Sequence, residues 1–210
     1  MLTIDFISDI NCPWCALGLA NLEVALAQLD SPADVTVRFQ PFELNPRIAK
    51  EGIGLVDYLT DKYGMTQAQI DDTHNTLRER GAEAGFSFGP RTTLWNTFNA
   101  HRLLLWVIME FGTEKQLQLK RALMQAYHGE GRNINDEAVL LSLVSSLGLD
   151  VERAREILQS NELADEVRQL QQQWQQVGIT SVPSIVLNGE QLLQGAQPVD
   201  VLVTAIKGFL

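Results

Sequence analysis

The residues with the clearest chemical potential are Cys12 and Cys15, which are the two cysteines of the chain and lie near its start. Pro13 and Trp14 separate them in the stretch SDINCPWCALG. A Cys-x-x-Cys pair is compatible with a metal site, with two inert core thiols or with thiol–disulfide exchange. A purely structural disulfide is disfavoured, because a two-residue gap closes a very small loop and restricts the unfolded chain little.

A metal site at this pair lacks further ligands. Structural zinc usually requires four protein ligands, and the sequence offers no third cysteine. The three histidines, His74, His101 and His128, lie far along the chain in separate helical patterns. We therefore expect no metal and no cofactor, and thiol redox chemistry becomes the favoured interpretation if the local structure suits it.

The sequence around the two cysteines predicts a strand followed by a helix. Apolar residues alternate with polar ones from Leu2 to Phe6, which is typical of a strand. Pro13 suits the first turn of a helix, where its missing N–H costs nothing. Leucines then recur at helical spacing until Pro32. Cys12 is thus predicted at the helix N-cap and Cys15 one turn inside.

A helix start is a favourable place for a reactive thiol. The free N–H groups and the dipole at a helix N-terminus stabilise a negative charge, so they favour a thiolate at Cys12. Cys12 is therefore the predicted nucleophile, and Cys15 is placed to resolve a mixed disulfide. Asp9 would oppose thiolate formation if it pointed inward. No cation lies near Cys12 in sequence, so any charge partner must come from a distant part of the chain.

A second strand completes a βαβ unit. Val35, Val37 and Phe39 alternate with polar residues and are followed by Pro41. The strand–helix–strand order predicts parallel pairing with a right-handed crossover. The Cys-x-x-Cys pair is then expected beyond the carboxyl end of the first strand, where open α/β sheets place their sites.

The middle of the chain, from about residue 54 to residue 178, is predicted to be helical. His101 lies on the apolar face of one of these helices. A core histidine is the simpler interpretation, but a helical lid could present that face to a substrate, so His101 is kept as a pocket candidate. The predicted helices cover residues 55–63, 66–83, 93–111, 114–127, 136–147, 151–159 and 162–177, the last of them capped by Asn161.

The C-terminal stretch GITSVPSIVLNGEQLLQGAQP predicts a hairpin and a final helix. Residues 184–187 and 190–193 are the expected strands, joined by Asn188-Gly189, a strong hairpin signal. A last helix begins near Pro198. Together with the N-terminal unit, this supplies a compact βαβ…ββα sheet.

Three segments in order carry a family resemblance: SDINCPWCALG, NTFNAHRLLLW and GITSVPSIVLNGEQLLQGAQP. In these segments the chain resembles the DsbA type of thioredoxin-fold protein and, more narrowly, the FrnE-like branch of that family. The resemblance implies an α/β fold, a thioredoxin-like βαβ…ββα unit with a large α-helical insertion. The expected domains are residues 1–44 plus 178–210 for the thioredoxin-like part and 45–177 for the helical insertion.

The resemblance also implies roles for the second motif. The Val182–Pro183 peptide bond is expected to be cis, and this loop is expected to offer backbone groups to an extended substrate beside the cysteines. The implied partners are protein or peptide thiols and disulfides, with glutathione as a further candidate. The intervening Pro13 and Trp14 differ from the Pro-His pair of the periplasmic oxidant, so the redox potential does not carry over.

Composition excludes several other classes of function. The 210 residues are 45% hydrophobic and 20% charged, with a formal net charge of −10. An acidic chain without a basic stripe is a poor partner for nucleic acid or an anionic membrane. No basic residue precedes Arg38, and no apolar run is long enough to span a bilayer. We expect a cytoplasmic protein, while the oligomeric state stays open.

Two alternatives to a protein thiol–disulfide oxidoreductase remain. The first is a glutathione-dependent transferase or isomerase, similar to kappa-class glutathione transferases and 2-hydroxychromene-2-carboxylate isomerases, which generally have serine where Cys12 stands. The second is a chaperone or binding module that uses a groove between lid and sheet without catalysis.

Overall fold

The computed structural model describes residues 1–29 and 34–210. Within these residues, the sheet that carries the cysteine motif has the strand order β2-β1-β5-β6. The strands are β1 (Leu2–Ser8), β2 (Val35–Pro41), β3 (Ile53–Gly54), β4 (Thr93–Leu94), β5 (Ser184–Leu187) and β6 (Gln191–Gln194). The α-helices are α1 (Pro13–Ala27), α2 (Leu55–Tyr63), α3 (Gln67–Glu83), α4 (Phe98–Met124), α5 (Glu137–Ser146), α6 (Val151–Gln159), α7 (Ala164–Gln176) and α8 (Val199–Lys207).

The sheet confirms the predicted thioredoxin-like topology. β1 pairs in parallel with β2, with Ile4 opposite Val37, and antiparallel with β5, with Phe6 opposite Ile185. β5 and β6 form the expected hairpin. Asn188 takes a positive φ of 49° at its turn, which is the conformation that Asn-Gly turns require.

β1 is more buried than its alternating sequence indicates. Phe6 and Ile7 point to opposite faces of the sheet, and both are fully buried. Phe6 belongs to the main apolar cluster, while Ile7 packs with Phe42 and Val186 in a second cluster. The central strand is therefore covered on both sides, and this fixes the place where its carboxyl end delivers the cysteine motif.

α1 begins where the sequence predicts. Pro13 is its first residue, and Cys12 is the N-cap with extended backbone angles (φ −82°, ψ 114°). The helix ends at Ala27, while Pro32, the limit that the sequence predicts, lies outside the described residues. α1 packs against α8, and α4 and α7 pack against β2.

The helical insertion follows the predicted order, with differences at both ends of α4. The segment at residues 93–97, predicted as the start of α4, instead contains β4, which pairs with β3. Gly112 interrupts α4 with φ 84° and ψ −177°, which is the break predicted between residues 111 and 114, and the helix resumes after it as predicted. A π-helical turn, Gln125–Gly129, follows α4.

The start of α7 is the clearest correction. The sequence predicts Asn161 as the cap of this helix, but the helix begins at Ala164 and its N-cap is Leu163, with φ 61°. The physical reason is Arg102, which competes for the backbone carbonyl groups of this segment. Its guanidinium donates hydrogen bonds to the carbonyl oxygens of Ser160 and Glu162, which holds the chain in a loop there.

One cluster of buried apolar side chains joins the two predicted domains. It contains Phe6 and Leu202 from the sheet part together with Trp106 and Leu140 from the helical part. The division into residues 1–44 plus 178–210 and 45–177 stays a prediction. None of the helices in the described ranges is long and apolar enough to cross a membrane.

Candidate active site

The cysteine pair lies at the carboxyl end of β1, as predicted. β1 ends at Ser8, and the chain turns so that the N–H of Cys12 donates to the carbonyl of Asp9 (3.2 Å). The N–H of Cys15 then donates to the carbonyl of Cys12 (3.0 Å) as the first turn of α1 forms. Cys12 is the N-cap and no side chain caps this helix start, so its first N–H groups have no side-chain acceptor.

The two thiols are close but unbonded. The side chains of Cys12 and Cys15 lie 3.5 Å apart and are not disulfide-bonded. Cys12 is 4% exposed and lines a pocket, whereas Cys15 is fully buried behind it. An incoming molecule therefore reaches Cys12 first, and Cys15 is within reach of whatever bond Cys12 forms.

The second predicted motif lies directly beside the first. The Val182–Pro183 peptide bond is cis, and the carbonyl oxygen of Val182 lies 3.6 Å from Sγ of Cys12, as an acceptor for the thiol. Gly18 on α1 permits this approach, since a Cβ there would lie 3.2 Å from Cγ of Pro183. The structure thus brings both ends of the chain together around Cys12.

Asp9 points inward, as the sequence analysis considered, but it does not face Cys12 as an unpaired charge. Its carboxylate accepts hydrogen bonds from the N–H groups of Asn11 (3.1 Å) and Leu44 (2.8 Å) and from the hydroxyl of Thr97 (2.9 Å). Burial raises the pKa of Asp9, but the contact with His101 and these N–H donors outweigh it and hold the pKa below its ordinary value. Asp9 therefore fixes the cysteine loop as a buried anion.

The segment NTFNAHRLLLW supports the loop from behind. Thr97 and His101 both reach Asp9, and Nε2 of His101 lies 3.8 Å from Oδ1 of Asp9. Next to it, the backbone carbonyl of Trp95 accepts a hydrogen bond from the Asn11 side chain (2.6 Å). This segment carried the family resemblance, and its contacts give that resemblance a physical basis.

His101 does not line the pocket beside Cys12. It is 2% exposed and borders a different cavity of about 160 Å³, next to Phe39 and Gln116. His101 therefore contacts Asp9 behind the cysteine loop and does not face a substrate in the pocket beside Cys12. His128 is also buried, and its Nε2 lies 2.7 Å from the carbonyl oxygen of Ile10. Burial and the nearby Arg91 hold the pKa of His128 well below its ordinary value, so it is neutral.

Lys120 is the charge partner that the sequence left open. This lysine on α4 is fully buried, and its Nζ makes no hydrogen bond within the described residues. Burial lowers its pKa to about 8, although the cysteines and Asp9 attract its positive charge. The sequence contains a pattern that could have indicated the burial of Lys120. The lysine lies four residues after Gln116 and shortly before Leu123 and Met124, which is the spacing of one buried helix face.

Cys15 is held as a thiol. Burial raises its pKa well above the ordinary value, and the hydrogen bond and charge of Cys12 raise it further, while Lys120 acts in the opposite direction. Negative charge is therefore more costly on Cys15 than on an exposed thiol. The two cysteines are chemically distinct: one faces the pocket at the helix start, and the other is protonated behind it.

A pocket of about 590 Å³ opens onto Cys12. Pro13, Trp14 and Val182 border it on the side of the two motifs. The opposite wall comes from the helical insertion, and its members are mostly apolar: Leu55, Tyr58, Leu59, Ile70, Leu77 and Leu94. In residues 1–29 and 34–210, no group of three or more His, Cys, Asp or Glu side chains could hold a metal ion.

Comparisons with known proteins agree with this geometry. Residues 3–207 match the sequence model of a protein family, the DSBA-like thioredoxin domain. The uncharacterized protein YwbO of Bacillus subtilis is 30% identical over 211 residues, which are 97% of this chain and 94% of that protein. These matches confirm the resemblance to the DsbA family and the thioredoxin-like fold inferred from the three segments.

Solved structures give the same result. The crystal structure of a probable DsbA oxidoreductase from Streptomyces coelicolor superposes with a TM-score of 0.91 at 33% identity, covering 99% of this chain and 89% of that one. A 2-hydroxychromene-2-carboxylate isomerase superposes with a TM-score of 0.75 at 16% identity, covering 99% and 95%. At that identity, the second match establishes a shared fold alone.

Proposed function

The chain belongs to the DSBA-like thioredoxin domain family, and from that premise we propose that it is a thiol–disulfide oxidoreductase acting through Cys12 and Cys15. The observation that carries the proposal is the pair of unbonded thiols, 3.5 Å apart, with one facing a pocket and the other buried beside a lysine. Inert core cysteines require neither the pocket nor the buried cation.

The first step is the attack of Cys12 on a substrate disulfide. The thiolate of Cys12 forms a bond to one substrate sulfur, the substrate S–S bond breaks, and the second sulfur leaves with the electron pair. The N-terminus of α1 stabilises the thiolate before the attack. The Val182 carbonyl lies beside Cys12, where the loop offers hydrogen bonds to the backbone of a bound substrate.

The second step releases the product. Cys15 loses its proton and attacks Sγ of Cys12, which forms the Cys12–Cys15 disulfide and frees the second substrate thiolate. The substrate gains two electrons and the dithiol loses two. Lys120 assists because its charge attracts the developing thiolate, and with a pKa of about 8 roughly a tenth of it is neutral at pH 7 and able to accept the Cys15 proton. The same steps in reverse oxidise a substrate dithiol.

Protein or peptide thiols and disulfides are the proposed substrates, with glutathione as a second thiol partner. Within the family we place the chain in the FrnE-like branch, on the resemblance carried by the segments SDINCPWCALG, NTFNAHRLLLW and GITSVPSIVLNGEQLLQGAQP. The proposed location is the cytoplasm, where an unpaired dithiol is kept reduced between catalytic cycles. The acidic surface supports no nucleic-acid or membrane partner.

A glutathione-dependent isomerase or transferase is the second candidate. Two observations favour it: the fold shared with the 2-hydroxychromene-2-carboxylate isomerase and a pocket of about 590 Å³, which lies within the usual range for small-molecule sites. The cysteine at position 12, where such enzymes generally have serine, favours redox chemistry over this second candidate. This candidate predicts saturable glutathione binding and turnover of a small electrophile that persists in Cys15→Ser.

Trapping the mixed disulfide tests the proposal. Cys15→Ser incubated with a disulfide-bonded peptide should accumulate a covalent adduct on Cys12, seen by mass spectrometry and reversed by dithiothreitol. Cys12→Ser should give no adduct and no turnover. It is the matched control because it makes the same replacement of sulfur by oxygen at the other cysteine, one helical turn away. Full dithiol-dependent turnover by Cys15→Ser without any adduct would refute the two-cysteine mechanism.

A further inference from the structure

A smaller, positively charged cavity adjoins the pocket that opens onto Cys12. The two cavities, of about 590 and 180 Å³, share His74, Leu77 and Arg91 in their walls. The smaller cavity adds Arg78, which lies one helical turn from His74 on α3. Two guanidinium groups and one imidazole therefore converge at one end of the space that leads to the reactive thiol.

The positive charge at this end is not neutralised within the protein. In the ranges 1–29 and 34–210, neither Arg78 nor Arg91 takes part in a salt bridge. Nη1 of Arg91 is buried and makes no hydrogen bond with the described residues, and its guanidinium lies over the ring of Tyr127 (5.4 Å to the centroid). A buried donor of this kind gains most from an acceptor supplied by a ligand.

The surroundings of His74 also indicate uncompensated positive charge at this end of the pocket. Burial lowers the pKa of His74, and the charges of Arg91 and Arg78 lower it further, while Asp71 acts in the opposite direction. Both arginines are thus close enough to His74 to act on it, and the single carboxylate nearby does not cancel them. A neutral His74 leaves two fixed positive charges facing the cavity.

The wall of the larger pocket is mostly apolar. Leu55, Leu59, Ile70 and Leu94 offer no hydrogen bonds to a polar chain, so they favour an apolar ligand body. The volume of the larger pocket lies in the range of small-molecule sites. Its lining therefore suits a compact apolar group with one anionic end.

We propose that Arg91 and Arg78 form a carboxylate-binding subsite, so that the redox site selects small disulfides in which an apolar group next to the sulfur ends in a carboxylate. This inference rests on the proposed thiol–disulfide function. Cys12 attacks the near sulfur, the far half leaves as a thiolate with the electron pair, and Cys15 then displaces the near half. Both halves leave as thiolates, the two electrons come from the Cys12–Cys15 dithiol, and the two protons that the dithiol loses go to the released thiolates or to solvent.

Two matched aromatic disulfides test the subsite. Dithiobis(nitrobenzoate) carries a carboxylate on each ring, and its bis-carboxamide replaces each carboxylate by a neutral amide of similar shape. The rate constant for thiol release by the reduced protein is measured with both compounds. The variants are Arg91→Met and Arg78→Met, with Arg91→Lys as the charge-conserving variant. Arg155→Met on α6 is the matched control, since α6 does not border either cavity.

The subsite predicts a charge-specific loss. Arg91→Met and Arg78→Met should each slow the dicarboxylate roughly tenfold, the size expected for one charge-assisted hydrogen bond, and leave the bis-carboxamide within about twofold of the parent rate. Arg91→Lys should restore most of the loss. Because Arg78 is exposed, its variant tests the charge even if Arg91→Met fails to fold.

Three other outcomes refute the subsite in different ways. Equal slowing of both compounds would mean that the arginines act on the thiols and not on a carboxylate. Unchanged rates with both compounds would remove the subsite and leave the thiol–disulfide function standing. Absence of any Cys12-dependent thiol release by the parent protein, with either compound, would refute the proposed function as well.

Discussion

Lys120→Met is the perturbation that most directly probes the buried charge behind the cysteines. Methionine has a similar length, carries no charge and suits a buried position. Lys120 is fully buried, its Nζ has no hydrogen-bond partner within the described residues, and its pKa is lowered from 10.5 to about 8. The folded protein therefore holds a proton on Lys120 less tightly than the unfolded chain does.

The size of the effect follows from that difference. At about 1.4 kcal/mol for each pH unit, the lowered pKa corresponds to about 3 kcal/mol by which the charged lysine destabilises the fold. The unfolded chain binds more protons between about pH 8 and pH 10.5, so the free energy of unfolding rises with pH through this window. Below about pH 8 the full cost is present, and Lys120→Met removes it.

The assay compares urea unfolding of the parent protein and the Lys120→Met variant, both in a Cys12→Ser, Cys15→Ser background so that no thiol titrates. The cysteines raise the pKa of Lys120, so in this background the variant should be more stable by about 3 kcal/mol or more at about pH 7. Its advantage should shrink as the pH rises towards about 10. Equal or lower stability of the variant at neutral pH, with parallel pH curves, would refute the account of Lys120 as an uncompensated buried cation.

The same substitution separates stability from catalysis. With both cysteines present, Lys120→Met should slow the release of the second substrate thiol, because the developing Cys15 thiolate loses its nearby positive charge. The first step, attack by Cys12, should be affected less. A stabilised variant with an unchanged rate of the second step would remove Lys120 from the mechanism.

Three further predictions follow from the supports of the site. Asp9→Asn should cost about 3 kcal/mol of unfolding free energy at neutral pH. Because the pKa of Asp9 is held below 3.8, the stabilisation by its carboxylate is present above pH 3.8 and is lost in more acidic solution. The variant should therefore lack this acid-induced loss of stability, and a parent-like acid profile of the variant would contradict the prediction. Gly18→Ala brings a Cβ to 3.2 Å from Cγ of Pro183, so the turnover of peptide disulfides should fall several-fold. The free energy of unfolding should rise by less than the ~1 kcal/mol that alanine usually adds in place of glycine in a helix. Unchanged turnover together with the full rise in stability would show that the contact between residue 18 and Pro183 does not matter. Arg102→Met leaves the carbonyls of residues 160 and 162 without their donor and removes one of the donors to the carbonyl of residue 157. The substitution should cost about 3 kcal/mol or more in urea unfolding, whereas a loss under about 1 kcal/mol would show that water replaces the arginine.

Local patterns predicted the parts of the site that local physics controls. Pro13 fixes the start of α1, and Asn188-Gly189 fixes the hairpin, so both could be placed from a few neighbouring residues. The parallel pairing of β1 and β2 followed from the crossover rule. These elements bring Cys12 and the Val182–Pro183 loop together without any knowledge of the helical insertion.

Long-range contacts explain what the sequence did not predict. Lys120 reaches the cysteines from another helix, and only its place on an apolar face marked it in advance. β3 and β4 are two residues each, so their pairing depends on tertiary contacts and not on strand propensity. The late start of α7 has the same origin, because Arg102 competes with the helix for its first carbonyls.

An equilibrium titration of Cys12 and Cys15 in glutathione redox buffers determines whether the two thiols form one redox couple. Trp14, which lies between the cysteines, provides the fluorescence signal, and Cys12→Ser is the control. A redox-active pair should give a reversible two-electron transition to an intramolecular disulfide that is absent from the control. A protein that forms no Cys12–Cys15 disulfide at any glutathione ratio would contradict the two-cysteine mechanism.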